Sequence, residues 1–475
     1  MTIAAGATRT PPPSLNQSAR RIFALAWPVL VGQLAVLAFS TIDTVMVARH
    51  SALDLAALAI GGAAYISVFV GLMGVVLAVG PIAGQLFGAH KLVEAGRELH
   101  QAVWLALALS VVGSALLLFP APFLALAQAQ PEVATKVRGY LGALAFALPP
   151  ALLFTAFRGF NTAVSRPKIV MAIQLGALLV KLPLNAVLVF GTTLQTPFGT
   201  LHIPALGAPG CGLATAIIMW LQLLLGYAVL RRDPFYRPFG LHVRGLARPR
   251  RDSIEGLVRL GVPMGLSIGI EVTGFTFMAF FIARLGATPV AGHQIAVNIV
   301  SVLFMMPLAL ANATSTLVAQ RVGADDLRDA RRIGRHGLQL GVLIAAAMGG
   351  TVYLTREGLM HAYTHDELII AAAMPLLTWV MLFHVADAAQ TVASFTLRAY
   401  KLATVPVIIY ATAIWGVGLG GGYTLAFDLT GFTPPALHGA PGFWAAATAG
   451  LTLAGLGLGS FLIWMLRQQD LTPSR

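Results

Sequence analysis

The sequence has little charge and almost no cysteine. Charged residues make up 10% of its 475 residues, against roughly 25% in ordinary soluble proteins. Because 57% of the residues are hydrophobic, a soluble fold of this size could not cover its apolar surface. The composition excludes a soluble enzyme, a nucleic-acid-binding protein and a disordered chain. Cys211 is the only cysteine, so an internal disulfide is impossible.

Several functional motifs are also missing. There is no Walker A sequence, no Cys/His ligand cluster and no catalytic motif. We therefore expect no cofactor, no enzymatic activity and no direct use of ATP. Residues 1–19 contain three consecutive prolines and no apolar run, which indicates a short flexible arm rather than a cleavable signal peptide.

Long apolar stretches are abundant, and they predict an all-α membrane protein with twelve transmembrane helices. Each stretch is long enough to cross about 30 Å of hydrocarbon as a helix. The predicted spans are 23–48, 57–83, 101–123, 138–160, 168–192, 207–231, 257–284, 292–319, 336–355, 368–395, 405–425 and 443–467.

Lys and Arg are concentrated in the connections on one side of these spans. This asymmetry predicts a multi-pass protein of the cell (inner) membrane with both termini in the cytoplasm. Residues 1–22 are then a cytoplasmic arm, 468–475 a cytoplasmic tail and 232–256 a basic cytoplasmic linker. The linker is interpreted as an anchor against anionic lipid, and a regulatory or partner-binding role stays open.

The two halves of the chain resemble each other. Pairs of like residues recur in the same order and at the same spacing, as in Pro28 and Pro263, Gln85 and Gln320, and Gly88 and Gly323. The repeat predicts two six-helix lobes, 23–231 and 257–467, that enter the membrane from the same side. Two parallel lobes around a central cavity are typical of transporters that work by alternating access. We expect a monomer in the lipid bilayer.

Ionisable residues inside spans are energetically costly and therefore indicate function. Four stand out: Asp43, Lys181, Glu271 and Asp387. A buried carboxylate favours its neutral form, so it can take up a proton, bind a small cation or bind a cationic substrate in competition. Lys181 lies one turn before Asn185, and we expect it to pair with Asp43, because an unpaired ammonium group is unfavourable at that depth.

Other polar residues are weaker candidates. His293 and Gln294 precede Asn298, and either a supporting role beside Glu271 or simple helix packing is compatible with their positions. Asn185 and Asn298 are expected to form hydrogen bonds between helices, with direct substrate contact as the alternative. Arg158 and Arg398, which correspond in the two halves, are expected in cytoplasmic loops.

At these residues the sequence resembles the multidrug and toxic compound extrusion (MATE) family, specifically its NorM-type branch. The resemblance extends from about residue 23 to 465. The short motifs that carry it include Ile42-Asp43-Thr44, Gln85-Leu86-Phe87-Gly88, Pro183-Leu184-Asn185, Glu271-Val272-Thr273, Gly292-His293-Gln294 and Asp387-Ala388-Ala389-Gln390.

The resemblance implies export of drugs, driven by a cation, through two lobes around a central cavity. It implies that Glu271 and Asp387 form the cation site of the C-terminal lobe, where Na+ is one possible ion, and that Asp43 is the functional acid of the N-terminal lobe. Two positions depart from the family pattern. Phe383 stands where some relatives have Tyr, which favours H+ over Na+, since a sodium ion prefers several oxygen ligands. Lys181 stands where a neutral polar residue is expected.

The sequence thus predicts a secondary active antiporter that exports small organic cations in exchange for H+ or Na+. A flippase for lipid-linked saccharides is the main alternative, although such a protein should line its cavity with basic groups. An intramembrane enzyme that uses Glu271 and Asp387, and a passive channel, also stay open.

Overall fold

A computed structural model describes residues 14–127, 130–196, 199–242 and 245–471. Across these ranges, twelve helical segments are long and apolar enough to cross a membrane, which confirms the predicted number. In chain order, α1 to α12 are Leu15–His50, Ala52–Gly88, Leu92–Leu118, Pro131–Ala163, Pro167–Phe190, Ala208–Arg232, Arg251–Ala283, Ala287–Gly323, Leu327–Leu354, Glu367–Ala399, Thr404–Ala426 and Ala440–Met465.

Shorter elements connect some of the spans. An antiparallel hairpin, β1 (Thr192–Thr196) and β2 (Gly199–Ile203), joins α5 to α6. Short α-helices cover Ala121–Leu126 and Arg356–Tyr363, and 3-10 turns cover Pro234–Phe239 and Pro435–Leu437.

Several helices extend beyond the predicted apolar spans. The first helix begins at Leu15 rather than at residue 23. Ser14 and Gln17 form a capping box that stabilises this N-terminus within polar sequence. The seventh begins at Arg251 rather than at residue 257. Hydrophobicity marks the part of a helix that lies in hydrocarbon, whereas the helix itself continues into the neighbouring polar sequence.

Two spans are interrupted. In α2, regular helix stops at Val76 and resumes at Val79, because Pro81 has no N–H group to donate to the Leu77 carbonyl. Gly80 donates to that carbonyl instead, over 3.0 Å. In α11, residues Ala411–Gly420 form a π-helix. Such wide turns are rare and occur frequently at functional sites.

The twelve helices form two lobes that contact each other mainly toward one end. We call this the terminal end, because α1 begins there and α12 ends there. Near the middle of the bundle, Gly74 of α2 packs against Gly265 of α7. Closer to the terminal end, Ile22 and Ala26 of α1 share an apolar cluster with residues of α8, including Leu310. These contacts hold the lobes together from mid-membrane to the terminal end.

Candidate functional site

Glu271 of α7 lines an apolar cavity within the C-terminal lobe. The cavity is surrounded by α7, α10, the π-helical part of α11 and α12, and among the described residues Glu271 is the one ionisable residue in its lining. Gly274 lies one turn after Glu271 and packs against Ile414, so that α11 approaches α7 closely. The other lining residues include Phe275, Met278 and Phe383. The site therefore surrounds one carboxylate with aromatic and aliphatic side chains.

Asp387 is the second carboxylate of this lobe and is almost fully buried, with 2% of its surface exposed. Gln390 Nε2 donates a hydrogen bond of 2.8 Å to Asp387 Oδ1. The Tyr410 hydroxyl of α11 donates in turn to the Gln390 side-chain oxygen. Asp387 also lies within electrostatic reach of Glu271. The structure thus brings together the two acids that the sequence analysis assigned to one site.

Arg398 is the third charged residue of this region, and the prediction that it lies in a cytoplasmic loop is wrong. It lies inside α10 rather than in a loop, and it is 4% exposed. Its guanidinium carbon lies 4.3 Å from the centre of the Phe395 ring, and the group is within electrostatic reach of Glu271. Arg158 likewise lies inside a helix, α4. Both were assigned to loops because they follow the most apolar part of their spans.

A row of aromatic rings extends from the cavity to His293. The Phe275 and Phe383 ring centres are 5.6 Å apart, and those of Phe383 and Trp444 are 5.5 Å apart. Trp444 Nε1 donates to His293 Nδ1 over 3.2 Å. His293 therefore contacts the far end of this row rather than a carboxylate, which agrees with the packing alternative.

Gln294 and Asn298 are exposed on α8. Asn298 accepts a hydrogen bond of 2.7 Å from the Tyr363 hydroxyl, near the end of the bundle opposite the terminal end. Within the described ranges, neither side chain has a hydrogen bond to Glu271 or Asp387. A supporting role for them in the carboxylate site stays a prediction.

The N-terminal lobe holds the predicted ion pair. Lys181 Nζ lies 2.8 Å from Asp43 Oδ2, and Asn185 Nδ2 donates to Asp43 Oδ1 over 2.6 Å. Lys181 also donates to the Thr215 hydroxyl over 3.1 Å and lies 4.9 Å from the centre of the Phe39 ring. All of these side chains are buried. The expected pairing of Lys181 with Asp43 is confirmed.

Tyr410 and the supporting position of Gln390 were not predicted from the sequence. Asp387, Thr391, Ser394 and Arg398 are spaced by four, three and four residues, which places them on one face of α10. That spacing could have predicted which polar residues of α10 share a face with Asp387. Tyr410 had no such signal, because it comes from another helix and only packing brings it to Gln390.

Few side-chain oxygen atoms surround Asp387 in the described residues. Among the residues that the structure describes, no group of three or more His, Cys, Asp or Glu side chains is arranged to hold a metal ion. The Gln390 oxygen is already engaged by Tyr410, and Phe383 supplies no oxygen to the cavity. The Thr391 hydroxyl is a further oxygen beside the carboxylate, 3.5 Å from Asp387 Oδ1.

The sequence model of the MatE family matches this chain twice, at residues 28–187 and at 263–424, in agreement with the internal repeat. A probable multidrug resistance protein NorM from Aromatoleum aromaticum is 40% identical over 456 residues, which are 96% of this chain and 95% of the relative. The multidrug resistance protein NorM from Vibrio cholerae is 35% identical over 460 residues, covering 96% of this chain and 97% of the relative.

Solved structures show the same fold. A multidrug resistance MATE family transporter in an outward-facing conformation superposes with a TM-score of 0.83 at 16% identity, over 97% of this chain and 98% of that one. The Vibrio cholerae MATE transporter VcmN in its bent form gives a TM-score of 0.82 at 17% identity, over 96% and 99%. The chain therefore belongs to the multidrug and toxic compound extrusion family, whose members are multidrug efflux transporters and not enzymes.

Proposed function

We propose that this transporter is a secondary active antiporter that exports organic cations in exchange for a cation, with Glu271 and Asp387 as the coupling groups. The observation that carries the proposal is that Glu271 lines an apolar cavity of the C-terminal lobe, while Asp387, which is 2% exposed, lies on α10 one turn after the lining residue Phe383. A proton, a metal cation and a cationic drug all compete for the same negative charge. Arrival of one therefore favours release of another, which is the requirement for exchange.

The charges of the site favour binding one cation at a time. Two ionised carboxylates and the Arg398 guanidinium leave a net charge of one negative unit, which a single cation neutralises. Moving one positive charge outward against 100 mV costs about 2.3 kcal/mol. Exchange for one inward cation cancels this cost for a monovalent drug, so the chemical gradient drives export.

The surroundings of the carboxylates favour H+ over Na+ as the coupling ion. Phe383 lines the cavity and packs between Phe275 and Trp444, so this wall of the site offers rings instead of oxygen ligands. A proton needs only one carboxylate oxygen, whereas a sodium ion needs several hard ligands. Coupling to protons is thus the simplest use of these side chains.

The proposed orientation places both termini in the cytoplasm of the cell that carries the protein in its inner membrane. The positively charged connections, such as the one that begins at Arg231 and Arg232, support this orientation. The terminal end, where the lobes contact each other, is then the cytoplasmic end. The conformation described above is accordingly closed toward the cytoplasm, as expected for a transporter about to load its coupling ion from outside.

The basic side chains inside the spans do not favour the flippase alternative. Lys181 is paired with Asp43, and Arg398 lies against Phe395 and near Glu271. They are therefore not arranged as a free basic lining for a pyrophosphate group.

Uptake of a cationic dye into proteoliposomes tests the proposal. The transporter is oriented with its cytoplasmic face toward the outside of the vesicle. The lumen contains either an acidic buffer or Na+, and in the Na+ experiment the pH is the same on both sides of the membrane. Wild type is compared with Glu271→Gln, Asp387→Asn and a matched control, Glu255→Gln, which changes an exposed acid on the same helix. We expect acid-driven uptake by wild type and Glu255→Gln, and none by the two site variants. Full uptake by Glu271→Gln would refute the coupling site.

A further inference from the structure

The ion pair in the N-terminal lobe has the composition of an organic-cation site that is already occupied. The Lys181 ammonium group contacts a carboxylate, a hydroxyl group and an aromatic face, provided by Asp43, Thr215 and Phe39. These are the groups that recognise an ammonium ligand. Lys181 itself is 1% exposed, so its ammonium group is enclosed as a bound ligand would be.

The carboxylate is held in place from its other side. Asn185 lies one turn after Lys181 on α5 and donates to the second oxygen of Asp43 over 2.6 Å. The α5 helix therefore supplies both the ammonium group and the amide that orients its partner on α1. Lys181 and Asn185 thus hold both oxygens of the Asp43 carboxylate from the same helix.

The net charge of this ion pair differs from that of the charged residues around Glu271 in the C-terminal lobe. Asp43 and Lys181 sum to zero, whereas Glu271, Asp387 and Arg398 sum to one negative charge when ionised. A proton, sodium ion or drug that bound to Asp43 would displace Lys181 and leave a buried ammonium group without a counterion, which is strongly unfavourable.

We propose that Lys181 is a tethered ligand that permanently occupies the ammonium site of the N-terminal lobe, so that Asp43 carries no transported cation. The inference rests on the proposed function, because it assigns the coupling ion to the C-terminal lobe alone. It makes Lys181 a residue that determines the ratio of ions to substrate. Removal of the Lys181 side chain should convert Asp43, Thr215 and Phe39 into a site for a free primary ammonium compound.

Chemical rescue tests whether the site recognises ammonium. The Lys181→Ala variant removes the equivalent of propylammonium, so this compound is the probe. Millimolar propylammonium should raise the melting temperature of purified Lys181→Ala by a few degrees. Neutral 1-propanol should not, and neither compound should affect wild type or Lys181→Ala/Asp43→Asn. Equal effects on the single and double variants, or no effect on Lys181→Ala, would overturn the proposal.

A second measurement uses variants that keep the volume of the side chain and so guards against misfolding of Lys181→Ala. The number of protons exchanged per drug molecule is measured for wild type, Lys181→Met and Lys181→Met/Asp43→Asn. We expect the double variant to keep the wild-type ratio and Lys181→Met to gain one ion per cycle. A ratio that falls by one in the double variant would show that Asp43 carries a coupling ion, against the proposal.

Glu271→Gln separates this inference from the proposed function. If Glu271→Gln keeps acid-driven transport while propylammonium still stabilises Lys181→Ala, the coupling site fails and the tethered ligand stands. If Glu271→Gln abolishes transport while propylammonium has no effect on Lys181→Ala, the coupling site stands and the tethered ligand fails.

Discussion

Gly88 of the N-terminal lobe lies directly against the backbone carbonyl of Gln320 in the C-terminal lobe. A Cβ atom added to Gly88 would overlap that carbonyl oxygen, and Gly323 meets the carbonyl of Gln85 in the same way. The two glutamine side chains also reach into the opposite lobe. Gln85 donates to the Ala399 carbonyl and Gln320 to the Ala163 carbonyl, each over 2.7 Å. The internal repeat thus produces a symmetric closure of the terminal end.

Gly88→Ala should open this closure. The added methyl group cannot be accommodated against a backbone carbonyl, so the lobes should shift toward the conformation that is open to the cytoplasm. The opening is measured through the substitution Ala319→Cys in a Cys211→Ala background, because Ala319 faces Gly84 across the same boundary between the lobes. We expect its labelling by a thiol reagent to become several-fold faster. Gly62→Ala is the control, because nothing lies within 4 Å of its added atom; equal labelling in both variants would contradict the closure.

Phe383→Tyr should make transport respond to sodium. The new hydroxyl group would add an oxygen to the cavity that Glu271 lines, and oxygen ligands are what a sodium ion requires. Dye uptake driven by a Na+ gradient at equal pH should increase several-fold over wild type. Phe277→Tyr, which adds a hydroxyl to an exposed ring on α7, should have no effect. An unchanged sodium response in Phe383→Tyr would show that this ring does not limit ion selectivity.

Tyr410→Phe should slow transport without weakening substrate binding. Its hydroxyl orients the Gln390 side chain, which in turn donates to Asp387. Loss of one such hydrogen bond costs about 1 kcal/mol, so the maximal rate of acid-driven dye uptake should fall by roughly five- to tenfold. The concentration of dye that gives half-maximal uptake should stay the same. A change in that concentration alone would place Tyr410 in substrate binding instead.

Asp54→Asn should destabilise the fold. Asp54 is fully buried and accepts hydrogen bonds from the Lys136 ammonium group at 2.8 and 2.9 Å and from the backbone N–H of Ala208 at 2.9 Å. Breaking a fully buried ion pair costs about 3–5 kcal/mol. Because the Lys136 side chain is 31% exposed, we expect a loss at or below the lower end of this range, which a denaturant titration in detergent would measure. Glu132→Gln changes an exposed acid at the same end of the bundle and should stay within about 0.5 kcal/mol of wild type. Equal stability of the two variants would refute a structural role for this pair.

Residues that act within one helix were the easiest to predict. Asp43, Glu271 and Asp387 stood out because a charge inside an apolar span is costly wherever the helix packs. The pairing of Lys181 with Asp43 followed from the same cost, since few partners were available at that depth. Arg398 was misplaced because hydropathy declines toward the end of a span and does not distinguish a helix end from a loop.

Composition and spacing were sufficient to predict the number of spans, the two-fold repeat and the positions of the acids inside the spans. Lipid requires every spanning segment to satisfy its own backbone hydrogen bonds, so these properties are local and appear directly in composition and spacing. Three contacts could not be predicted in this way: Tyr410 with Gln390, His293 with Trp444, and Gly88 with Gln320. Such contacts depend on the distances and angles between helices, which arise from side-chain packing across the whole lobe.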